Sequence, residues 1–151
     1  KFAAQDSSNF ADLESISLGE TVFKVVAAKT HPLFKHFPDG PITNEQMLTF
    51  AFACPSISPF CGIKRGVGSD GWPDAKFART IGYRCNDFSV LISLVKQGLA
   101  LAYVPDFIAE QHNLKIIDVQ DCSFEYKEVI ELFYQPSLAS GWLNRLVKSL
   151  G

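Results

Sequence analysis

Residues 86–105 read NDFSVLISLVKQGLALAYVP. Either Asn86 or Asp87 is placed to cap a helix, and the apolar residues that follow recur at helical spacing: Phe88, Leu91, Ile92 and Val95. Gly98 stands where a helix commonly ends in the left-handed conformation. The apolar run 99–104 then predicts a buried strand that Pro105 stops. The stretch therefore predicts a helix that leads directly into a core strand.

The flanking sequence continues the same alternation in both directions. Upstream, residues 21–28, 49–54 and 77–85 predict strands, and Thr43 with Gln46 three residues later predicts a capped helix. Downstream, the predicted order is helix, strand, strand and helix, at 106–111, 114–118, 129–134 and from Trp142 to the end. This alternation predicts an α/β fold with a mostly parallel sheet flanked by helices.

The composition excludes several classes of protein. The chain has 151 residues, of which 47% are hydrophobic and 20% charged, as in an ordinary globular domain. Its longest apolar run is far shorter than the roughly eighteen residues that a membrane span needs, so no membrane partner is expected. The formal charge is −2, and the lysines and arginines are scattered. Because DNA-binding surfaces concentrate positive charge, direct nucleic-acid binding by this chain is not expected.

Cysteines and histidines are the usual soft metal ligands, but their spacing here does not favour a site. The four cysteines, at positions 54, 61, 85 and 122, include no C-x-x-C pair. Two disulfides or a metal site are one interpretation, and reduced, mostly buried thiols of a cytosolic protein are the one that we prefer. His31 and His36 belong to a proline-rich turn and His112 to a later helix end, whereas zinc needs three or four ligands at fixed spacing. We predict no metal and no cofactor.

Motifs of nucleotide binding and catalysis are also weak. Residues 66–71, GVGSDG, match the dinucleotide fingerprint as text, but no strand precedes them and no helix follows, so a loop is the better interpretation. The nucleophile motif G-x-S-x-G is absent, and Cys54 and Ser56 follow a strand without any residue assigned as their base. The sequence therefore carries no enzyme signature.

The residues that directly follow two of the predicted strands are of types suited to ligand binding. They are residues 54–58, CPSIS, and residues 85–87, CND. In open α/β sheets ligands bind outside the carboxyl ends of the strands, and the N–H groups at a helix start favour carboxylates and other anions. The alternative is that Ser58 and Asn86 only cap helices, each contributing about 1 kcal/mol to stability. The two roles are compatible, and the sequence leaves both open.

The order of these pieces resembles the effector domain of LysR-type transcriptional regulators. The residues Thr30-His31-Pro32-Leu33, which follow a hydrophobic strand, resemble the family's "HPL" stretch, and residues 42–48 resemble the short helix after it. The strongest likeness is residues 86–105, which are similar to the family's helix, "V-x-x-G-L-G", strand and proline. Ala100 stands where the family usually has a second glycine. The resemblance covers Asp12 to Gly151, and each motif is loose by itself.

The resemblance implies a periplasmic-binding-protein type II-like architecture of two lobes. Residues 20–128 would form the complete second lobe, and residues 1–19 and 129–151 would form the tail strands and C-terminal helix of an incomplete first lobe. The N-terminal DNA-binding domain would be absent from this chain, which does not begin with Met and is expected to be a fragment of a cytoplasmic protein.

The resemblance also implies where a small-molecule effector binds. In a cleft between the lobes, Ser56 and Ser58 would lie on one wall, Asn86 at the mouth of the following helix, and Val104 and Pro105 near the floor, with Thr30 as a further candidate. Phe60 and Trp72 would either add an aromatic wall or simply pack. We expect the effector to be a carboxylate or another anion, the full-length protein to be a homodimer or tetramer, and DNA to be contacted only through the absent N-terminal domain.

Two other classes of function compete with this one. A periplasmic solute-binding protein of a transporter shares the two-lobe architecture, and its upstream sequence would carry a signal peptide. An enzyme on the same scaffold, such as a dehydratase for a cyclic acid, would need a Thr, Ser or Glu placed for acid–base work, and one substitution would abolish its activity.

Overall fold

The computed structural model of the chain describes residues 12–57, 59–60, 69–120, 124–138 and 140–150. Its elements, in chain order, are β1 (Glu14–Ala27), α1 (Leu33–His36), α2 (Asn44–Leu48), β2 (Phe52–Pro55), β3 (Ile81–Cys85), α3 (Phe88–Lys96), β4 (Ala102–Pro105), α4 (Asp106–Gln111), β5 (Lys115–Ile116), β6 (Tyr126–Tyr134) and α5 (Gly141–Leu150). They divide into two compact units. Unit 1 contains Val22–Tyr126, and unit 2 contains the described residues 12–21 and 127–150.

Unit 1 is built on a mixed sheet. Strands β2 and β3 pair in parallel, and β1 pairs antiparallel with both β4 and β5. The Ala53 N–H donates to the Leu101 carbonyl at 2.8 Å, and a parallel bridge joins Phe52 to Leu101, so β2 lies beside β4. The resulting order is β3-β2-β4-β1-β5.

The α/β fold class predicted from the sequence is confirmed, with one difference in strand direction. Strands β2, β3 and β4 are parallel, as the strand–helix alternation predicts, whereas β1 runs against its neighbours. The direction of β1 follows from its pairing with β4, whose residues are distant in the sequence. Local periodicity carries no information on that pairing, since it reports only which faces of a strand are buried.

Side chains from the two faces of this sheet form two clusters. On β1, Val25 belongs to one cluster and Val26 to the other, because successive side chains of a strand point to opposite faces. The second cluster contains the buried residues of α3, which are Leu91, Ile92 and Val95. These are the positions that the spacing in residues 86–105 predicts for the buried face of the helix.

Several local predictions are confirmed at the level of hydrogen bonds. The Thr43 hydroxyl accepts from the Gln46 N–H at 3.2 Å, and the Gln46 side chain accepts from the Thr43 N–H at 2.9 Å, which completes the capping box. Gly98 has a φ of +74°, in the left-handed region expected at the end of α3. Cys54 and Cys85 are free and buried, and positions 61 and 122 lie outside the described residues.

The strands have bounds that differ from the prediction, and β1, β3 and β4 show the difference at their first residues. β1 begins at Glu14 and not near residue 21, β4 begins at Ala102, and β3 begins at Ile81 and not near Phe77. The shorter β3 has a physical reason. The Phe77 N–H donates to the Pro73 carbonyl at 2.9 Å, and the Phe77 carbonyl accepts from the Trp72 indole N–H at 2.7 Å. These bonds fold the residues around Phe77 into turns against Trp72.

Unit 2 has the first part of β1, strand β6, a short 3-10 turn and α5. β6 pairs with β1, and the Tyr134 hydroxyl donates to the Glu14 carboxylate at 2.6 Å. None of the described residues of α5 is buried, and Trp142 is 62% exposed. Across the described parts of both units, no helix combines the length and the apolar character that a bilayer crossing requires.

Candidate functional site

Three strands of unit 1 end at one edge of its sheet. β2 and β3 run in parallel with Pro55 beside Cys85, and β4, which is parallel to β2, ends at Pro105. The Ser56 N–H donates to the Cys85 carbonyl at 2.8 Å and so joins the exits of β2 and β3. We call this edge, formed by Ser56–Ile57, Asn86–Phe88 and Pro105–Phe107, the carboxyl edge.

Four of the six residues singled out from the sequence lie at or next to the carboxyl edge. Ser56 is half-buried, Asn86 is exposed, and Val104 and Pro105 are buried at the end of β4. Ser58 lies outside the described residues. The structure therefore brings to one edge of the sheet a hydroxyl, an amide and two buried residues that lie up to 49 positions apart in the chain.

Thr30 is not part of this group. β1 is antiparallel to β4, with Phe23 beside Pro105 and Val26 beside Ala102, so the chain after Ala27 emerges at the amino end of β4. A methyl group added at Gly98, before β4, would lie 3.5 Å from the Thr30 hydroxyl. Thr30 is thus at the opposite end of the sheet from Ser56 and Asn86. Thr30 was named as a candidate on the family resemblance alone.

The N-terminus of α3 is capped by Asp87 and not by Asn86. The Asp87 carboxylate accepts from the Ser89 N–H at 2.7 Å and from the Ser89 hydroxyl at 2.5 Å. These hydrogen bonds, that of the hydroxyl first, lower the pKa of Asp87 below its ordinary value. The carboxylate is therefore ionised at neutral pH. The N–H that an anionic ligand would use at this helix start is already bonded to a negative side chain.

The exit of β4 shows a similar arrangement. α4 begins directly after Pro105, and the Asp106 carboxylate accepts from the Phe107 N–H at 2.9 Å. Lys24, which lies beside Val104 in the strand register, is paired with Glu125. The described helix starts at the carboxyl edge thus carry acidic side chains, which weakens the expectation of an anion-binding edge.

Phenylalanine rings line the same edge, and sequence reasoning missed two of them. Phe60 is half-buried, and its ring lies 5.2 Å from that of Phe88 and 5.9 Å from that of Phe107, nearly perpendicular to both. Phe88 and Phe107 had been interpreted only as helix residues. The signal that could have found them is their position, since each follows an aspartate at the start of a helix that leaves a strand.

Trp72 does not contribute to an aromatic wall at this edge. It is fully buried and packs against Phe52, Tyr103 and Phe124, with ring centroids 5.6, 5.2 and 4.7 Å away. Of the two aromatic residues considered from the sequence, Trp72 therefore belongs to the core and Phe60 to the carboxyl edge.

A buried ion cluster lies behind β2. The Arg79 guanidinium donates to both Asp70 carboxylate oxygens, at 2.8 and 2.7 Å, and to Asp74 at 3.0 Å. The Cys54 thiol contacts Asp70 at 3.5 Å. Burial, and then the negative charge of Asp70, raise the pKa of Cys54 to about 12, so the thiol stays protonated and is a poor nucleophile.

This cluster also determines how the glycine-rich motif is interpreted. Of residues 66–71 only Ser69, Asp70 and Gly71 are described, and Asp70 is 2% exposed and paired with Arg79. An aspartate that is held by a buried arginine is a structural anchor. The sequence did not reveal it, because a pairing of two residues across a loop has no periodicity.

The histidine of the "HPL" stretch has a structural role. The buried His31 accepts the Leu33 N–H at its Nδ1 atom, at 3.1 Å, and packs against the Phe50 ring at 5.3 Å. Burial lowers the pKa of His31 below its ordinary value. Within the described ranges, no group of three or more histidine, cysteine, aspartate or glutamate side chains could hold a metal ion.

A groove of about 670 Å³ lies elsewhere on unit 1. Residues of α4, of β5 and of the turn between them line it together with Lys29, and it reaches the carboxyl edge only at Asp106 and Phe107. Its two lysines are engaged, because Lys29 donates to the Asn113 side chain at 2.8 Å and Lys115 lies over the Phe34 ring. The groove is large enough for a small ligand, but it offers few convergent polar groups.

Comparison with known protein families identifies the one to which the chain belongs. The family model described as LysR substrate binding domain matches residues 2–149. The chain belongs to the LysR substrate binding domain family. This membership confirms the resemblance seen in residues 86–105 and favours a regulator over a solute-binding protein of a transporter. A search of curated protein sequences gave no match.

Solved structures show the same fold. The effector-binding domain of QuiR in complex with shikimate is 17% identical, with a TM-score of 0.59 over 97% of this chain and 66% of that chain. The Synechocystis CcmR regulatory domain in complex with 2-PG is 13% identical, with a TM-score of 0.62 over 96% and 68%. Full-length CbnR complexed with its target DNA is 12% identical, with a TM-score of 0.59 over 93% and 47%.

The chain therefore has the periplasmic-binding-protein type II-like α/β fold of the LysR substrate binding domain. The chain spans 66% of the QuiR effector domain and 47% of full-length CbnR.

Proposed function

We propose that this chain is the effector-binding part of a LysR-type transcriptional regulator. A small molecule binds at the carboxyl edge of unit 1, and binding controls transcription through a DNA-binding domain in the N-terminal part of a longer, cytoplasmic protein. The full-length regulator is a homodimer or tetramer. The chain itself performs no catalysis and holds neither metal nor cofactor.

The carboxyl edge is the observation that carries this proposal. Ser56 and Asn86 emerge from neighbouring parallel strands, and Val104 and Pro105 are buried at the end of β4, which lies beside β2. Ligands of open α/β sheets bind outside the carboxyl ends of the strands, where such side chains supply directional hydrogen bonds. Ser58 is included in the proposal because it follows Ser56 in the same exit.

The protonation state of Cys54, the candidate nucleophile, supports the proposal that the chain performs no catalysis. Cys54 lies at the end of β2, and its pKa of about 12 leaves almost no thiolate at neutral pH. The site needs only to bind. To control transcription, the effector must bind one arrangement of the regulator more tightly than the other, typically by about 1–3 kcal/mol of coupling.

The test is a thermal-shift screen of the full-length protein against metabolites of different charge, followed by calorimetry of any compound that binds. We expect a saturable rise in the melting temperature for one compound class, since a ligand that binds only the native state stabilises it. Ser56→Ala and Asn86→Ala should each weaken that binding at least tenfold. Thr30→Ala is the matched control, since Thr30 lies at the other end of the sheet, and it should leave the affinity unchanged.

Two results would contradict the proposal. One is an effector whose affinity is insensitive to both Ser56→Ala and Asn86→Ala while the variants remain folded. The other is turnover of a bound compound that is lost on a single substitution, which would indicate an enzyme.

A further inference from the structure

Phe60 follows the end of β2 and packs against three separate elements of unit 1. Its ring lies 6.5 Å from that of Phe23 in β1, 5.2 Å from that of Phe88 in α3 and 5.9 Å from that of Phe107 in α4. The interplanar angles are 78°, 83° and 83°, which is the edge-on geometry that aromatic pairs favour. Phe60 therefore fixes its part of the chain against elements that come both before and after it in the sequence.

The two core clusters show where the Phe60 side chain lies relative to the sheet. They occupy opposite faces of the sheet, and Phe60 packs against both. A single side chain can reach both faces only where a sheet ends. That end is the carboxyl edge, because Phe23 is the strand partner of Pro105 and Phe107 follows Pro105 by two residues. The Phe60 ring therefore packs across the edge at which the effector site is proposed.

The chain that leaves β2 is tied to the rest of unit 1 at two points. The first is Ser56, whose N–H donates to the Cys85 carbonyl at 2.8 Å. The second is Phe60, through its three ring contacts. Ile57, by contrast, is 85% exposed and contributes little burial of its own. Since a short segment that is tied at both ends has few conformations, the packing of Phe60 restrains the position of Ser56.

We propose that Phe60 is a positioning residue of the effector site. By packing against Phe23, Phe88 and Phe107 it keeps the chain after β2 at the carboxyl edge, with Ser56 in place to bind the effector. Phe60 acts through Ser56 and does not itself have to touch the effector. This inference rests on the proposed function and adds a residue whose ring was considered from the sequence only as an aromatic wall or as packing.

The test is amide hydrogen exchange of the full-length protein without ligand, measured by mass spectrometry with fragmentation that resolves single residues. Exchange at Ser56 is compared with exchange at Ala53, whose N–H donates to the Leu101 carbonyl inside the sheet and reports opening of the whole unit. Phe60→Leu keeps an apolar side chain but loses the edge-on ring contacts. We expect exchange at Ser56 to accelerate about tenfold more than exchange at Ala53, because three aromatic pairs are lost.

Phe77→Leu is the matched control for Phe60→Leu. Phe77 is likewise half-buried, but its ring packs against a different set of rings, those of Trp72 and Phe124, at 6.3 and 6.0 Å. This substitution should change exchange at Ser56 and at Ala53 by the same factor. Phe60→Tyr keeps the ring and should show the exchange of the wild type at Ser56.

A double-mutant cycle tests whether Phe60 acts through Ser56. The probe is the compound that gives the largest rise in melting temperature in the metabolite screen. Phe60→Leu should weaken its binding about fivefold when Ser56 is present and have little further effect in the Ser56→Ala background, because the two residues act as one unit.

Two outcomes would overturn the inference and leave the proposed function standing. One is equal acceleration at Ser56 and Ala53 in Phe60→Leu, which would mean that Phe60 only stabilises unit 1 as a whole. The other is additive losses of affinity in the double-mutant cycle, which would mean that Phe60 does not act through Ser56. Failure of the proposed function is recognised separately, because the exchange measurement needs no ligand and a screen without any binder counts against the effector site itself.

Discussion

The Arg79 guanidinium binds both carboxylate oxygens of Asp70, at 2.8 and 2.7 Å, and both side chains are withdrawn from solvent. The same guanidinium also lies over two adjacent aromatic rings, 5.2 Å from the Phe52 ring and 5.4 Å from the Trp72 ring. The backbone N–H of Trp72 also donates to the Asp70 carboxylate, at 3.2 Å. The pair therefore fixes the segment around Trp72 against β2, close to the strand exit that carries Ser56.

Removal of one partner of this pair should strongly destabilise unit 1. Arg79→Met leaves the Asp70 carboxylate buried without its counter-charge, and breaking a buried pair in this way costs about 3–5 kcal/mol. The measurement is the free energy of unfolding from urea titration. The matched control is Lys24→Met, which breaks the more exposed Lys24–Glu125 pair and should cost less than about 1 kcal/mol. Equal losses in the two variants would contradict the structural role of the Arg79–Asp70 pair.

A double variant tests whether Asp70 and Arg79 stabilise the protein as a pair or independently. Replacement of Asp70 by Asn together with Arg79→Met removes both charges, so the combined loss should be smaller than the sum of the single losses. Additive losses would mean that the two side chains stabilise the protein independently, in conflict with their bidentate contact.

Cys54 should be nearly inert to alkylating reagents in the folded protein. Its pKa of about 12 leaves very little thiolate at pH 8, and the side chain is buried. At pH 8, site-resolved mass spectrometry after iodoacetamide treatment should find Cys54 modified only when urea unfolds the protein. In native protein the rate should rise steadily with pH through pH 10. Rapid modification at pH 8 without denaturant would show that the thiol is accessible and ionised.

The Thr43 capping box should contribute measurably to stability although it lies on an exposed turn. Thr43→Ala removes the hydroxyl that accepts the Gln46 N–H, and the loss of such a cap costs about 1 kcal/mol. Thr43→Ser keeps the hydroxyl and is the control, with an expected change of a few tenths of that value. The free energy of unfolding of the two variants is the measurement. A Thr43→Ala variant as stable as the wild type would mean that water replaces the cap without cost.

The local features of this fold could be predicted from sequence because they depend on neighbours in the chain. The helix over Phe88–Lys96, its buried face and Gly98 follow from helical spacing and from the conformational freedom of glycine. The Thr43 capping box is likewise complete within four residues. The family resemblance rested on the order of such features, and the family match over residues 2–149 confirms it.

The features that sequence reasoning missed depend on contacts between distant segments. Thr30 was named beside Ser56 on the family resemblance, and nothing in the sequence gives the direction of β1, which the pairing of Phe23 with Pro105 determines. The choice between Asn86 and Asp87 as the cap of α3 was also open, since both residue types cap helices well. Only the backbone conformation at Asp87 decides it, and that choice changes the charge at the carboxyl edge.

The buried His31 should make stability depend on pH in the range just below neutrality. Burial lowers its pKa in the folded state, so as the pH falls below about 6.5 the unfolded chain takes up the proton first. The contribution of His31 is therefore complete above pH 6.5 and is lost as the pH falls through the pKa of the folded state. Urea midpoints measured from pH 8 to pH 5 should fall more steeply for the wild type than for His31→Gln, whose amide oxygen can still accept the Leu33 N–H. A His31→Gln profile parallel to that of the wild type would mean that protonated His31 is accommodated in the fold, with its ring turned away from Leu33.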